Sequence, residues 1–257
     1  MRRFTGLFIA FIFLVPGTSH AAAQKITSVD GQNLVLADGQ RLWLLGVWGL
    51  QPGATPDQSE PGTAEAEAAL AADTVGRMAS IATLMGPDRS GRFGAIVTLD
   101  GDQASLNERL VRGGWARAYL VPGLPKAEDP GATLLPALLR AEGAARAEGR
   151  GLWHFPAYRV RQAGSEDLWP LRDQFHLVEG RVRRLVKRAG WGAELTLGEG
   201  RSALKVIVPS PLGRLLKARG LDPHDLTDAK LRVRGWISVS GGLSIQLERP
   251  EYLEKLP

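Results

Sequence analysis

Short apolar runs bounded by turn residues alternate with stretches of helical period along this chain. From residue 28 to 53 (SVDGQNLVLADGQRLWLLGVWGLQPG) the pattern is strand, turn, strand, turn, strand. Asp30-Gly31 and Asp38-Gly39 are tight-turn dipeptides, and Leu34, Val35 and Leu36 form a short apolar strand between them. Residues 42–47 are apolar at alternate and intervening positions alike, which predicts a strand buried on both faces. Residues 51–62, rich in Pro, Gly and Ser, predict a loop. Residues 63–77 combine strong helix formers with acidic residues near the start and Arg77 at the end, the polarity a helix dipole favours. Residues 81–85 and 94–99 read as strands around the turn Asp88-Arg89-Ser90-Gly91-Arg92. Residues 105–118 predict a helix with Leu106, Leu110 and Val111 on its buried face. After a Pro/Gly-rich loop over 120–130, residues 132–148 predict a long helix broken by Pro136 and Gly143 and closed by residues 149–153.

Residues 156–174 contain Pro156, Gly164 and Pro170 amid charges and read as a linker. From Phe175 onward short strands return, at residues 176–186, 191–197, 203–208, 231–239 and 243–247, with a helix at 211–217 after the third. Three strands, a helix and two strands is the element order of a small OB-like barrel.

Composition adds a leader and a charge asymmetry. Arg2 and Arg3, an apolar run over 7–15 and Ala21-Ala22-Ala23 have the layout of a secretory signal peptide, so residues 1–23 are expected to be removed and the protein to be periplasmic or secreted. The apolar run is about half of the roughly 20 residues that a spanning helix needs. There is no cysteine, hence neither a disulfide framework nor a lipid-attachment site. The net charge is +5, but residues 24–160 hold 13 basic and 15 acidic side chains, whereas residues 161–257 hold 17 and 12. A polyanion would therefore be drawn to the C-terminal part.

Four separated motifs carry a resemblance: Asp30-Gly31-Gln32-Asn33 with Leu44-Leu45-Gly46, then Asp88-Arg89-Ser90-Gly91-Arg92, then Leu106-Asn107 with Leu110-Val111, then Arg150-Gly151-Leu152-Trp153. In this order, across residues 25–155, they resemble the staphylococcal-nuclease-like (thermonuclease-like) family. The resemblance implies a mainly β fold with helices (α+β): an OB-type five-stranded barrel over residues 24–155, with residues 175–257 forming a second, basic OB-like barrel. Residues 232–256, with Val233-Arg234-Gly235 and Pro250-Glu251-Tyr252-Leu253-Glu254, are similar to the OB-type extension that follows this domain in many alphaproteobacterial secreted proteins.

The family's chemistry is phosphodiester cleavage with calcium, and here its residues are replaced. The second carboxylate of the first motif falls on Gln32, the first catalytic arginine on Trp43, the next metal-binding aspartate on Trp48 and the general-base glutamate on Gln51. Calcium needs several oxygen ligands, anionic ones for useful affinity, and a glutamine cannot take a proton from water. Only the second catalytic arginine keeps its position, as Arg92, where it either contacts phosphate or serves the turn. No cofactor is expected; Ca2+ would enter only if Asp30, Asp38, Asp57 or Glu60 rebuilt a site near Arg41 and Arg92. Trp43 and Trp48 are expected either to plug the old site or to line an apolar cleft. Asn107 and Glu108 read as structural, and His154, His176 and His224 lack metal-ligand spacing and read as surface or boundary histidines.

The candidate nucleic-acid interface is the basic run Arg181, Arg183, Arg184, Lys187 and Arg188 with Trp191 and Trp236 nearby. Strand alternation predicts Arg181 and Arg183 on one face and Arg184 and Arg188 on the other. Phosphate contacts and base stacking there would suit single-stranded nucleic acid or another polyanion. Three functions follow: a non-cleaving binder of polyanion or an envelope partner, a divergent metal-dependent phosphodiesterase, or a protein-interaction scaffold.

Overall fold

The computed structural model describes residues 23–50, 59–122, 133–188 and 192–257. Residues 1–22 of the expected leader, Gln51, Asp57 and Trp191 lie outside the described residues.

In the first unit β1 (Gln24–Asp30), β2 (Asn33–Leu36) and β3 (Arg41–Leu44) form an antiparallel meander. The apolar run of residues 42–47 does not continue as one strand. It breaks at Gly46, whose φ of 79° suits a residue without Cβ, and resumes as the two-residue β4 (Val47–Trp48). Helix α1 (Thr63–Thr74) leads to β5 (Met78–Met85) and β6 (Arg92–Leu99). Strand β6 pairs in parallel with β3, and β5 pairs with β1, so the barrel closes in the order β1-β2-β3-β6-β5. Leu34, Leu36, Leu42, Leu44, Ala95, Val97 and Leu99 fill it, while Asn33, Arg41, Trp43 and Arg92 alternate outward.

Helix α2 (Leu106–Arg112) begins at Ser105, whose hydroxyl accepts from the Glu108 amide at 3.2 Å, and ends at Gly113 rather than running to residue 118. It carries the fully buried Asn107, which accepts from Val97 N at 3.0 Å and donates to Leu45 O at 2.8 Å and Ala95 O at 3.1 Å. One amide thereby holds the break after β3 against β6. After β7 (Arg117–Ala118), which pairs with β4, comes α3 (Leu134–Ala147). This helix is continuous: Pro136 falls in its first turn, where no intrahelical donor is lost, and a Cβ at Gly143 would meet nothing within 4 Å.

Residues 156–174 fold onto the second unit as two 3-10 turns flanking β8 (Arg161–Gln162), which pairs in parallel with β9 (Phe175–Arg188). Strand β9 continues into β10 (Gly192–Leu197) and β11 (Leu204–Pro209) as a second meander. Helix α4 (Ser210–Ala218) follows, then β12 (Lys230–Trp236), β13 (Ser238–Val239), β14 (Leu243–Gln246) and β15 (Leu253–Lys255). Strand β12 returns antiparallel to β9 and β14 lies parallel to β11, which repeats the pairing order of the first barrel. The ring stays open, however. Hydrogen bonding runs β13-β14-β11-β10-β9-β12-β15, with no ladder between β12 and β14. That seam is packed instead: a Cβ at Gly235 of β12 would stand 2.6 Å from Ile245 Cγ2 of β14. The expected second barrel is thus an OB-ordered sheet with one unbonded seam.

The first barrel has its own core, and the second unit's core extends across the joint into the first unit. Leu45, Tyr119, Leu120 and Leu135 of the first pack with Phe175, Leu177, Val233 and Tyr252 of the second. Across this joint Tyr252 Oη accepts from Leu120 N at 2.7 Å and donates to Leu120 O at 2.9 Å, and Arg117 Nη1 donates to Phe175 O at 2.8 Å. Arg234, 2 % exposed, donates to Glu142 Oε2 at 2.7 Å and Glu254 Oε1 at 3.0 Å, while Glu142 Oε1 accepts from Ala118 N at 2.8 Å. Burial opposes the Arg234 charge, but the two carboxylates outweigh it and hold its pKa above the ordinary value.

Candidate functional site

A cleft of about 680 Å³ lies on the outer face of β2, β3 and β6 and reaches Tyr119 at the joint. The register of β3 and β6 sets Arg41 beside Arg92 and Trp43 beside Gly94. Both arginines are neutralised within the cleft. Arg92 donates from Nε and Nη2 to Asp88 Oδ2 at 2.9 and 2.7 Å and from Nη1 to Asn33 Oδ1 at 3.2 Å. Its hydrogen bond holds the Asp88 carboxyl below the usual aspartate range. Arg41 pairs with Asp30. The turn reading of Arg92 is therefore visible directly: Asp88 Oδ1 also accepts from Ser90 N at 2.8 Å and Arg92 N at 3.1 Å, closing the loop before β6.

At the positions where the resemblance expects ligands, the side chains are engaged in structure. Gln32 Nε2 donates to Trp115 O at 3.1 Å, and its amide lies so close to Gly49 that a Cβ there would fall 1.3 Å from Oε1. The Trp43 indole packs against Gly94, where a Cβ would come within 2.6 Å of Cζ2. Trp48 stands edge-on to Trp236 at 4.9 Å and to Tyr119 at 5.8 Å. Both tryptophans line the cleft, Trp43 covering β6 and Trp48 also joining the units. The Tyr119 hydroxyl, which burial and its bond to Glu248 raise to a pKa of about 12, caps this aromatic cluster as a donor at 2.9 Å. Among the described residues no group of three or more His, Asp or Glu side chains is placed to hold a metal ion. Asp30, Glu67 and Asp88 do line the cleft, but Glu67 accepts from Gly31 N at 3.2 Å and the two aspartates face arginines.

On the second unit the basic run is arranged differently from simple alternation. The β9–β10 register shifts between Thr196 and Leu197, so that Leu197 faces Val182 while Thr196 faces Arg184. This bulge inserts one residue between the buried Val182 and Leu185, which lies opposite the buried Leu195, and places Arg181 and Arg184 on the same outer face. Thr196 in turn faces Lys205 of β11, giving a row Arg184, Thr196, Lys205 across three strands. Arg183, at the bulge, pairs with Glu199 at 3.0 Å and Asp228 at 3.5 Å. The same slip turns Lys187 toward the inner side with Ala193. Trp236 is not beside the run: it faces Phe175 at the opposite end of β9, about 20 Å from Arg181 at the usual strand rise. Trp236 belongs to the joint. His176 is also no boundary residue. It is 5 % exposed, and burial, reinforced by Arg117 and Arg161, pushes its pKa down to about 4.

Residues that strand pattern did not single out include Lys205, one basic side chain in an apolar strand, and the Arg234–Glu142–Glu254 triad. Strand alternation marks Lys205 as outward-facing, and its row is set only by the partner strands.

A closed five-stranded barrel with a cleft on its outer face, an adjacent arginine pair and a terminal helix define a nuclease-type OB domain. Residues 42–155 match the family described as staphylococcal nuclease homologue, and these residues form a domain of that family. The match begins at β3, whereas the barrel also takes in β1 and β2. No curated protein matches the chain.

Proposed function

We propose that this is an exported nuclease-like protein with a degenerate active site, which binds single-stranded nucleic acid or another polyanion without cleaving it. The observation that carries the reading is the contrast in charge pairing. The cleft arginines Arg41 and Arg92 are neutralised by Asp30 and Asp88, whereas Arg184 has no acidic partner among the described residues and shares its exposed face with Arg181 and Lys205. Strands stand about 4.8 Å apart, so Arg184 and Lys205, two strands apart, can meet phosphates along one extended strand. Trp48, packed on Trp236, has no oxygen to offer a cation, and Gln32, held through Nε2 by Trp115 O, brings a neutral amide where the family has a carboxylate. Export rests on the leader pattern of residues 1–23.

Titrating labelled single-stranded DNA and RNA into the purified protein at several salt concentrations tests this. Three phosphate contacts give a log–log slope of about −2 for single strands. Arg181→Ala with Arg184→Ala weakens binding roughly tenfold and flattens that slope. Binding that ignores salt and both substitutions would sink the reading. The divergent phosphodiesterase is the second reading. The observation in its favour is that Asp30, Glu67 and Asp88 share the cleft with Arg92, and its signature is cleavage that calcium supports and chelator stops.

A further inference from the structure

We infer that the second unit holds a separate site for a small dianion of the phosphomonoester class, in the cavity between the end of the β9–β10 hairpin, helix α4 and the 3-10 turn Pro223–Asp225. The cavity measures about 410 Å³, larger than a phosphate group alone. Its charge comes from three elements: Lys187 on β9, Arg214 and Lys217 on α4, and His224 in the turn. Neither Lys187 nor Arg214 has an acidic partner among the described residues. Lys217 does have one, Asp222 at 3.0 Å, whose other oxygen accepts from His224 N at 3.0 Å. That pair fixes the turn against the helix and leaves the lining, counted among the described residues and with histidine taken as uncharged, at three cations against one carboxylate. A dianion matches the surplus of two.

The backbone supplies an independent observation. Gly213 sits in the middle of α4, where glycine costs roughly 0.5–1 kcal/mol relative to alanine. Neither a left-handed φ nor close packing requires it: a Cβ there would meet nothing nearer than Val208 Cγ1 at 4.0 Å. Its effect is to leave the helix wall of the cavity open. Gly192 is the opposite case, since a Cβ would fall 2.0 Å from Val208 O and 2.7 Å from Ser210 N, so the hairpin closes tightly on the start of the helix. Ala193, Gly213 and Pro223 give the rest of the lining an uncharged surface that accepts the body of a phosphate ester. The β9 bulge makes the site possible, because it turns Lys187 away from the outer row of Arg181 and Arg184 and into this cavity. The site is therefore independent of polyanion binding on the outer face.

The probes are inorganic phosphate and phenyl phosphate, titrated into the full-length protein and followed by amide NMR shifts, with 5′-phosphoryl and 5′-hydroxyl oligothymidylate as further arms. Phenyl phosphate is expected to shift the amide signals of residues 192–193, 213–214 and 224 with a dissociation constant of about 1 mM or tighter. Lys187→Gln with Arg214→Gln weakens this roughly tenfold or more. Gly213→Leu fills the cavity and abolishes binding while the dispersed spectrum shows the fold intact, and Lys25→Ala on the first barrel changes nothing. Tighter binding of the 5′-phosphoryl strand than the 5′-hydroxyl strand identifies a nucleic-acid end as the source; equal binding identifies a free phosphomonoester. No shift at these residues, or shifts that persist in the Lys187/Arg214 variant, would overturn the proposal.

Discussion

The two units are built on one strand order and use it in opposite ways. Each has a three-stranded meander, a strand returning antiparallel to the first and another parallel to the third. The first closes its ring through the β5–β6 ladder and neutralises its outward arginines with aspartates. The second leaves the β12–β14 seam to packing, adds β15 beyond β12 and carries its exposed cations with fewer partners. The difference teaches that the cleft-bearing barrel pairs its arginines Arg41 and Arg92 with Asp30 and Asp88, while the second unit leaves Arg184 without an acidic partner among the described residues, which is the contrast the proposed binding rests on. It also places the burial of charge at their joint, where Arg234 of one unit satisfies Glu142 of the other.

The largest expected effect comes from breaking that joint. Glu142→Ala leaves a fully buried guanidinium with Glu254 as its remaining acidic partner and is expected to cost about 3–5 kcal/mol. Urea denaturation followed by tryptophan fluorescence should still show a single transition, since an apolar cluster and buried hydrogen bonds join the units; two separated transitions would mean that they fold independently. Next comes pH. His176 has its folded pKa depressed to about 4 from an ordinary 6.5, so the unfolded chain binds the extra proton first. Its contribution is fully present above about pH 6.5 and is lost as pH falls toward 4, a loss of roughly 3 kcal/mol. His176→Gln should flatten the pH dependence of the urea midpoint across that window; a wild-type midpoint equal at pH 7 and pH 4.5 would contradict the burial argument.

A smaller effect separates cleft wall from joint. Gly94→Val drives a side chain into Trp43 and the Met85 Cβ, 3.0 Å from the position of an added Cβ, and is expected to cost about 1–3 kcal/mol. It should shift Trp43 fluorescence while leaving polyanion affinity unchanged; lost affinity would place binding in the first barrel. Smallest is Ser105→Ala, which removes the α2 cap for about 1 kcal/mol in a thermal melt.

Much of the first barrel was legible because local rules decide it. Asp30-Gly31 and Asp38-Gly39 made the turns, and the alternation of Leu34, Leu36, Leu42 and Leu44 made the buried face. The break at Gly46 was not, because it answers Asn107, which lies 62 residues from Leu45 in sequence. The faces of the basic run were misassigned for a similar reason: parity along β9 depends on the bulge, which belongs to the pairing with β10 and not to β9 alone. Trp236 read as a ligand-facing aromatic beside the basic run, and only the docking of the two units turns it toward Trp48. Arg234 and Glu142, 92 residues apart, carry no local mark of their pairing.

The measurement that tests the central claim most directly is incubation of the purified protein with single-stranded DNA and RNA, first with calcium and then with chelator, reading binding and strand length together. Intact strands in both conditions, with binding that survives the chelator and falls with salt, is the predicted result. Chelator-sensitive cleavage that disappears in Arg92→Ala would contradict it and return the cleft to catalysis.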